Sequence, residues 1–172
     1  MKNEECNATL SKREFATAAN GQVKLSEHFT LAEMTKTSVK TLDGNMPTAE
    51  HTENLRRLCR WLEMLRARYN MMYGGGVGER PLIINSGYRS PLVNRLVGGV
   101  AASNHLTGCA ADIRVTGEEQ LLRYANILLD ISDEAREDFD ELLLERSRAG
   151  TYWLHFAVRP DGNRRKIRLI QT

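Results

Sequence analysis

Apolar positions recur at spacings of three and four between Thr48 and Tyr69, where Leu55, Leu58, Cys59, Leu62 and Leu65 form one stripe. That period predicts an amphipathic helix with Thr48 as its cap. A second stripe runs through GEEQLLRYANILLDI, 117–131. Two short helices are predicted as well. Thr30 before LAEM, with Glu33 three residues on, has the spacing of a capping box and starts a helix over about 31–36. SPLVNRLVG, 90–98, places Pro91 in a first turn and Gly98 at an end. The period then changes to two. PLIINS (81–86), CAADIRV (109–115), FDELLLE (139–145), TYWLHFAV (151–158) and RKIRLI (165–170) read as strands. A short Ala-Gly turn joins the third and fourth, and a DGN turn precedes the last. Helices first and sequence-adjacent strands afterwards predict an α+β fold, with a small antiparallel-rich sheet and helices packed on one side.

Length and composition narrow this picture. A chain of 172 residues suits a single domain. The polar stretch 1–23 reads as a loosely ordered leader, leaving 24–172 as the domain. It has no apolar core of a secretion signal, and no stretch reaches the ~18 apolar residues of a membrane span. The expected product is a soluble chain, cytoplasmic as synthesised and not inserted in a membrane. Lys and Arg total 24 against 22 Asp and Glu, a net charge of +2, so no nucleic-acid partner is expected. The run Arg56, Arg57, Arg60, Arg66 and Arg68 is diluted by Glu53 and Glu63 and reads as a solvated helix face. The glycine-rich 74–81 lacks the Gly-Lys-Ser/Thr of a phosphate loop and reads as a flexible link. Three cysteines, Cys6, Cys59 and Cys109, are an odd number without a CxxC pair, which excludes a disulfide framework and a thiolate zinc ribbon. Any metal would be held mostly by histidine and carboxylate.

The chain has four histidines. In SNHLTGCAAD, 103–112, Gly108 permits a tight turn between His105 and Asp112, and such a turn could aim both at one point. Taken alone, a polar turn histidine and an aspartate that caps or forms a salt bridge explain the pair better than a metal site does. His155 sits in an apolar strand with Trp153 and Ala157 on its face, which suits a core histidine or the floor of a cleft. His28 is expected to pack or cap near the first helix, and His51 to be exposed on the helix that follows.

The wider pattern resembles a known family, the zinc-dependent D-Ala-D-Ala carboxypeptidase-like murein peptidases. These are related in fold to D-Ala-D-Ala dipeptidases, phage endolysins and the hedgehog signalling domain. The resemblance rests on Ser86-Gly87-Tyr88-Arg89-Ser90, Asn94, Gly98-Gly99, Ser103, His105, Gly108, Ala110, Asp112, Trp153 and His155. HFTLAEM (28–34) and the Asn45–Pro47 loop extend it, so that it covers about 25–160. It implies a catalytic zinc held by His105, Asp112 and His155, with an open fourth position. It also implies that Arg89, Ser103 and Trp153 meet the substrate. Several relatives carry the general base three residues before the last histidine, but that position here is Tyr152. Glu145 is the preferred base, with Asp140 the alternative in a D-x-x-x-x-E pattern. Arg89 could instead form a structural salt bridge and Ser103 could be a turn hydroxyl. Cys109 could face the metal or pack as a small hydrophobe. The resemblance implies a monomeric zinc peptidase acting on peptidoglycan stem peptides, either as a carboxypeptidase or as an endopeptidase. A prophage-type lysis enzyme, reaching the wall only after release, suits the absent signal. A zinc-binding module without activity is the rival reading, and a phage structural protein a third.

Overall fold

A computed structural model of the chain describes residues 23–76 and 78–172; the 1–22 part of the expected leader lies outside them. The expected α+β architecture is present. The helices are α1 (Leu31–Met34), α2 (Ala49–Tyr73), α3 (Pro91–Leu96) and α4 (Glu118–Ala135). The strands are β1 (Ile84–Ser86), β2 (Ala110–Arg114), β3 (Glu141–Arg146), β4 (Tyr152–Ala157) and β5 (Lys166–Gln171). A 3-10 turn covers Asn104–Thr107. The five strands form one sheet in the order β1-β2-β4-β3-β5. All neighbours are antiparallel except β5, which runs parallel to β3 at the edge.

Local chemistry starts the helices where expected. The hydroxyls of Thr30, Thr48 and Ser90 accept the N–H groups of Glu33, His51 and Val93, which satisfies donors the first helical turn leaves unpaired. The long helices outrun their apolar stripes because tertiary contacts hold their last turns. Tyr73 extends α2 by packing against Tyr69 at 5.3 Å and under Arg123 at 4.1 Å. β1 is shorter than the apolar run that marked it, since only Ile84 and Ser86 pair with β2.

Strand alternation divides the sheet into two unlike faces. Ala111, Ile113, Leu142, Leu154 and Phe156 join the buried cluster that includes Leu55, Leu58, Leu62 and Leu65 of α2 and Leu121, Ile127 and Leu128 of α4. Trp61 of α2 packs on Phe156 at 5.4 Å and on Phe139 at 6.5 Å. With period two, the opposite face carries Asp112, Glu141, Leu143, Glu145, Trp153 and His155. These residues line a cleft. Among the described residues, no helix is long and apolar enough to cross a membrane.

Candidate metal centre

Two of the three expected ligands are fixed by sheet register. Asp112 of β2 and His155 of β4 are direct cross-strand partners, so antiparallel pairing sets their side chains next to each other on the cleft face. The third arrives on the 3-10 turn. Ser103 caps that turn, its hydroxyl accepting the His105 N–H at 3.3 Å. Gly108 closes it at φ +72, a left-handed conformation, with the α2 backbone so near that an added Cβ would lie 2.5 Å from the His51 carbonyl oxygen. Asn54 of α2 donates to the Thr107 carbonyl at 2.9 Å and pins the turn from below.

The donor atoms converge on one point. His105 Nε2 lies 3.2 Å and His155 Nδ1 2.9 Å from Asp112 Oδ1, and all three donor groups fall within 4.8 Å of one another. Bonds of about 2.0–2.2 Å to a tetrahedral zinc require donor spacings close to these, so the three residues fit such an ion. The surroundings orient each donor. His105 Nδ1–H donates to the Gly87 carbonyl at 2.6 Å, which leaves Nε2 with its lone pair toward Asp112. Gly87 must be glycine, because a Cβ there would stand 2.3 Å from the Met34 carbonyl oxygen. Arg89 donates from Nη2 to Asp112 Oδ2 at 2.5 Å and from Nε to Ser86 at 2.8 Å, so the carboxylate presents Oδ1 to both imidazoles.

Charge follows from this packing. Burial would push the Asp112 carboxyl up, but His105 and His155 hold it well below the usual carboxylate range. Burial pushes His105 below an ordinary imidazole. Burial also opposes charge on His155, yet the hydrogen bond of Asp112 and the carboxylate of Glu141 beside it raise it to about 9. Without metal, the centre therefore holds one neutral and one protonated histidine around an ionised aspartate.

The centre opens into a cleft of about 400 Å³. Glu145, Arg89, Ser103 and Trp153 all line it, as the sequence led one to expect. Glu145 sits on β3 opposite Trp153 of β4. Burial first, and then the charge of Asp112, raise its carboxyl above an ordinary glutamate, with His155 opposing. Ser103 caps the turn and also lines the cleft. Arg89 forms the salt bridge to Asp112 on the cleft wall.

Asp140 does not share this surface. Its side chain is fully buried, bonded by Arg164 at 2.7 and 2.8 Å and by Asn104 at 2.7 Å, with Arg159 Nε at 3.1 Å. Burial raises its carboxyl, but these partners outweigh burial and keep it ionised. It serves as an anchor, and the base alternative offered by the sequence is thereby removed. Asp140→Ala is expected to cost about 1–3 kcal/mol in denaturant unfolding. The two guanidiniums reach solvent, so the loss stays below that for a fully enclosed pair.

The remaining candidates separate clearly. Cys109 Sγ approaches the Thr107 carbonyl at 3.8 Å and lines a neighbouring cavity with Asn54 and Arg159, not the metal cleft. His28 does not cap α1, which Thr30 caps, but pairs with α2, its Nδ1 2.8 Å from Glu63 Oε2. His51 departs from expectation: it is half-buried, with its ring 5.3 Å from that of Tyr88. Tyr152 packs against the core face of β4, opposite His155, so a glutamate at 152 could not reach this centre. Two polar neighbours of the centre make contacts that the sequence reading did not predict. Glu141 shares the strand face of Glu145, which the alternation in FDELLLE already implied. Asn104 bonds Asp140 and Glu141 across the fold, and nothing local signals that.

The sequence model of a family described as Peptidase M15 matches residues 27–130. That span contains Arg89, Ser103, His105 and Asp112 and ends before β3 and β4, so Glu145 and His155 rest on geometry. Among curated proteins, none matches the chain.

Proposed function

The chain belongs to the peptidase M15 family, and from that premise we propose that it cleaves a peptide bond in peptidoglycan stem peptides, using zinc at His105, Asp112 and His155. The observation that carries this reading is the convergence of His105 Nε2, Asp112 Oδ1 and His155 Nδ1 at the floor of a cleft whose wall holds a separate carboxylate, Glu145. Zinc held there supplies Lewis acidity, polarising a peptide carbonyl and making a water more acidic. Glu145 takes a proton on its carboxylate and returns it to the leaving amine, a task suited to a carboxyl whose pKa is raised. Arg89 holds Asp112 in place, and the N–H groups it does not use on Ser86 and Asp112 suit a substrate carboxylate. Trp153 offers a flat wall to the peptide, and Ser103 a hydroxyl. The absence of a base at 152, which favoured an inactive zinc-binding module, loses its weight because that position faces the core.

The test is mass analysis of purified peptidoglycan after digestion by zinc-loaded protein. Release of free D-alanine identifies a carboxypeptidase; cleavage inside the stem identifies an endopeptidase. Intact muropeptides after digestion by a zinc-replete wild type would sink the proposal.

A pH effect follows from the centre's charge. His155 must lose its proton to bind a metal, so zinc binding near pH 7.5 should release about one proton. Calorimetry in buffers of different ionisation enthalpy measures this, and affinity should fall with acidification. The sign for the metal-free fold is opposite. A raised His155 pKa contributes stability that is present below about 6.5 and is lost as pH rises through about 9.

A further inference from the structure

The cleft contains a carboxylate that the proposed reaction does not use. Glu141 lies in the strand row next to His155, and its Oε2 is 3.5 Å from His155 Nε2. That nitrogen is buried and makes no hydrogen bond. The carboxylate itself is held from several sides. Lys166 donates to Oε1 at 2.7 Å, Arg164 to Oε1 at 3.0 Å and Asn104 to Oε2 at 3.1 Å. The three grips come from β5, from the loop before it and from the turn that carries His105. Such convergence is more than one exposed ion pair would need, and it leaves Oε2 facing the imidazole.

We propose that Glu141 is the positioning residue for His155: it accepts the Nε2–H, so that the proton given up on metal binding is the one on Nδ1, and thereby aims that nitrogen at the metal. The inference rests on the metal reading above. A histidine that ligates through one nitrogen usually donates from the other, and a carboxylate acceptor both orients the ring and makes the ligand more basic. The geometry also gives Asn104 a purpose. It is the residue before His105 and donates to Glu141, so one side chain ties the two histidine supports together. His105 has its own acceptor in the Gly87 carbonyl; Glu141 supplies the counterpart for His155.

The test uses the full chain and zinc alone, with cobalt as a spectroscopic probe. A glutamine at 141 keeps the shape, but its NH₂ must face at least one of the donors now met by a carboxylate. Glu141→Gln is expected to weaken zinc binding about 10–100-fold in chelator competition and to shift the visible absorption of the cobalt form. Lys166→Met, which keeps the carboxylate and loosens its grip, should give a smaller loss with a shift in the same direction. Should Glu141→Gln fail to fold, judged by the melting of the metal-free protein, Lys166→Met carries the test by itself. Wild-type zinc affinity and an unchanged cobalt spectrum in a folded variant would overturn the proposal. Failure of the wild type to bind zinc would overturn the metal reading instead, so the two failures are distinguishable.

Discussion

Asp112→Ala is expected to abolish zinc binding and peptide hydrolysis together, while His28→Ala and His51→Ala should leave both near wild type. Asp112 is the node of the centre. Its Oδ1 faces His105 Nε2 and His155 Nδ1, and its Oδ2 takes the Arg89 guanidinium. Removal therefore deletes one ligand and releases the group that orients the other two. It also changes the local charge. His155 loses the strongest reason for its raised pKa, and Arg89 is left half-enclosed beside two imidazoles without its counter-charge. Loss of a supporting group typically costs about 10–100-fold in metal affinity, and loss of a ligand together with that support should exceed the range. Competition with a zinc-sensitive dye measures the affinity, and melting of the metal-free protein separates ligand loss from unfolding. Asp112→Asn offers a control of nearly the same shape, whose neutral amide is a poor ligand. Retention of hydrolysis by either variant would break the site assignment. The two control histidines have other employment: His28 closes on Glu63, and His51 packs on Tyr88.

The faces of the strands were legible because alternation is a local property. In TYWLHFAV alternation set Trp153 and His155 on one face, and in FDELLLE it set Glu145 opposite Asp140, before any pairing was known; the β3–β4 register then brought Glu145 onto the face of His155. Pairing itself is not local. β2 and β4 are separated by α4 and β3, so only the family resemblance could join Asp112 to His155, and the register then placed them directly opposite each other. The same limit explains what was missed. Asn104 reaches Asp140 across the chain, and Arg159 and Arg164 return from the loop after β4 to bury it. No spacing in the sequence marks such a cluster, and Asp140 accordingly remained a rival for the base. His51 shows the converse error. A histidine in a first helical turn looks solvated, but Tyr88, held by its N–H on the Met34 carbonyl at 2.7 Å, covers it.

Glu145→Gln separates the metal from the proton transfer. The expected result is a fall in kcat of about 10²–10⁴-fold, the usual contribution of a positioned acid–base group, with zinc affinity close to wild type. Three carboxylates stand near the centre, and their surroundings assign them different work. Asp140 is enclosed by Arg164, Arg159 and Asn104 and has no access to the cleft. Glu141 is fixed by Lys166, Arg164 and Asn104, and the adjacent His155 imidazole, ahead of the Lys166 bond and charge, keeps its carboxyl far below an ordinary glutamate. Glu145 alone of the three is raised, by burial and by the Asp112 charge. A base must gain and lose a proton in each turnover, and a carboxylate clamped by cations is poorly suited to gaining one. Glutamine at 145 keeps the shape and removes the proton exchange, so substrate binding should persist while kcat falls. The pH profile supplies an independent check. A carboxylate acting as base gives an acid limb to kcat/KM, with activity rising as the group ionises, and the residual activity of Glu145→Gln should lack that limb. Full turnover in the variant, with zinc bound, would take Glu145 out of the mechanism and leave the three ligands untouched.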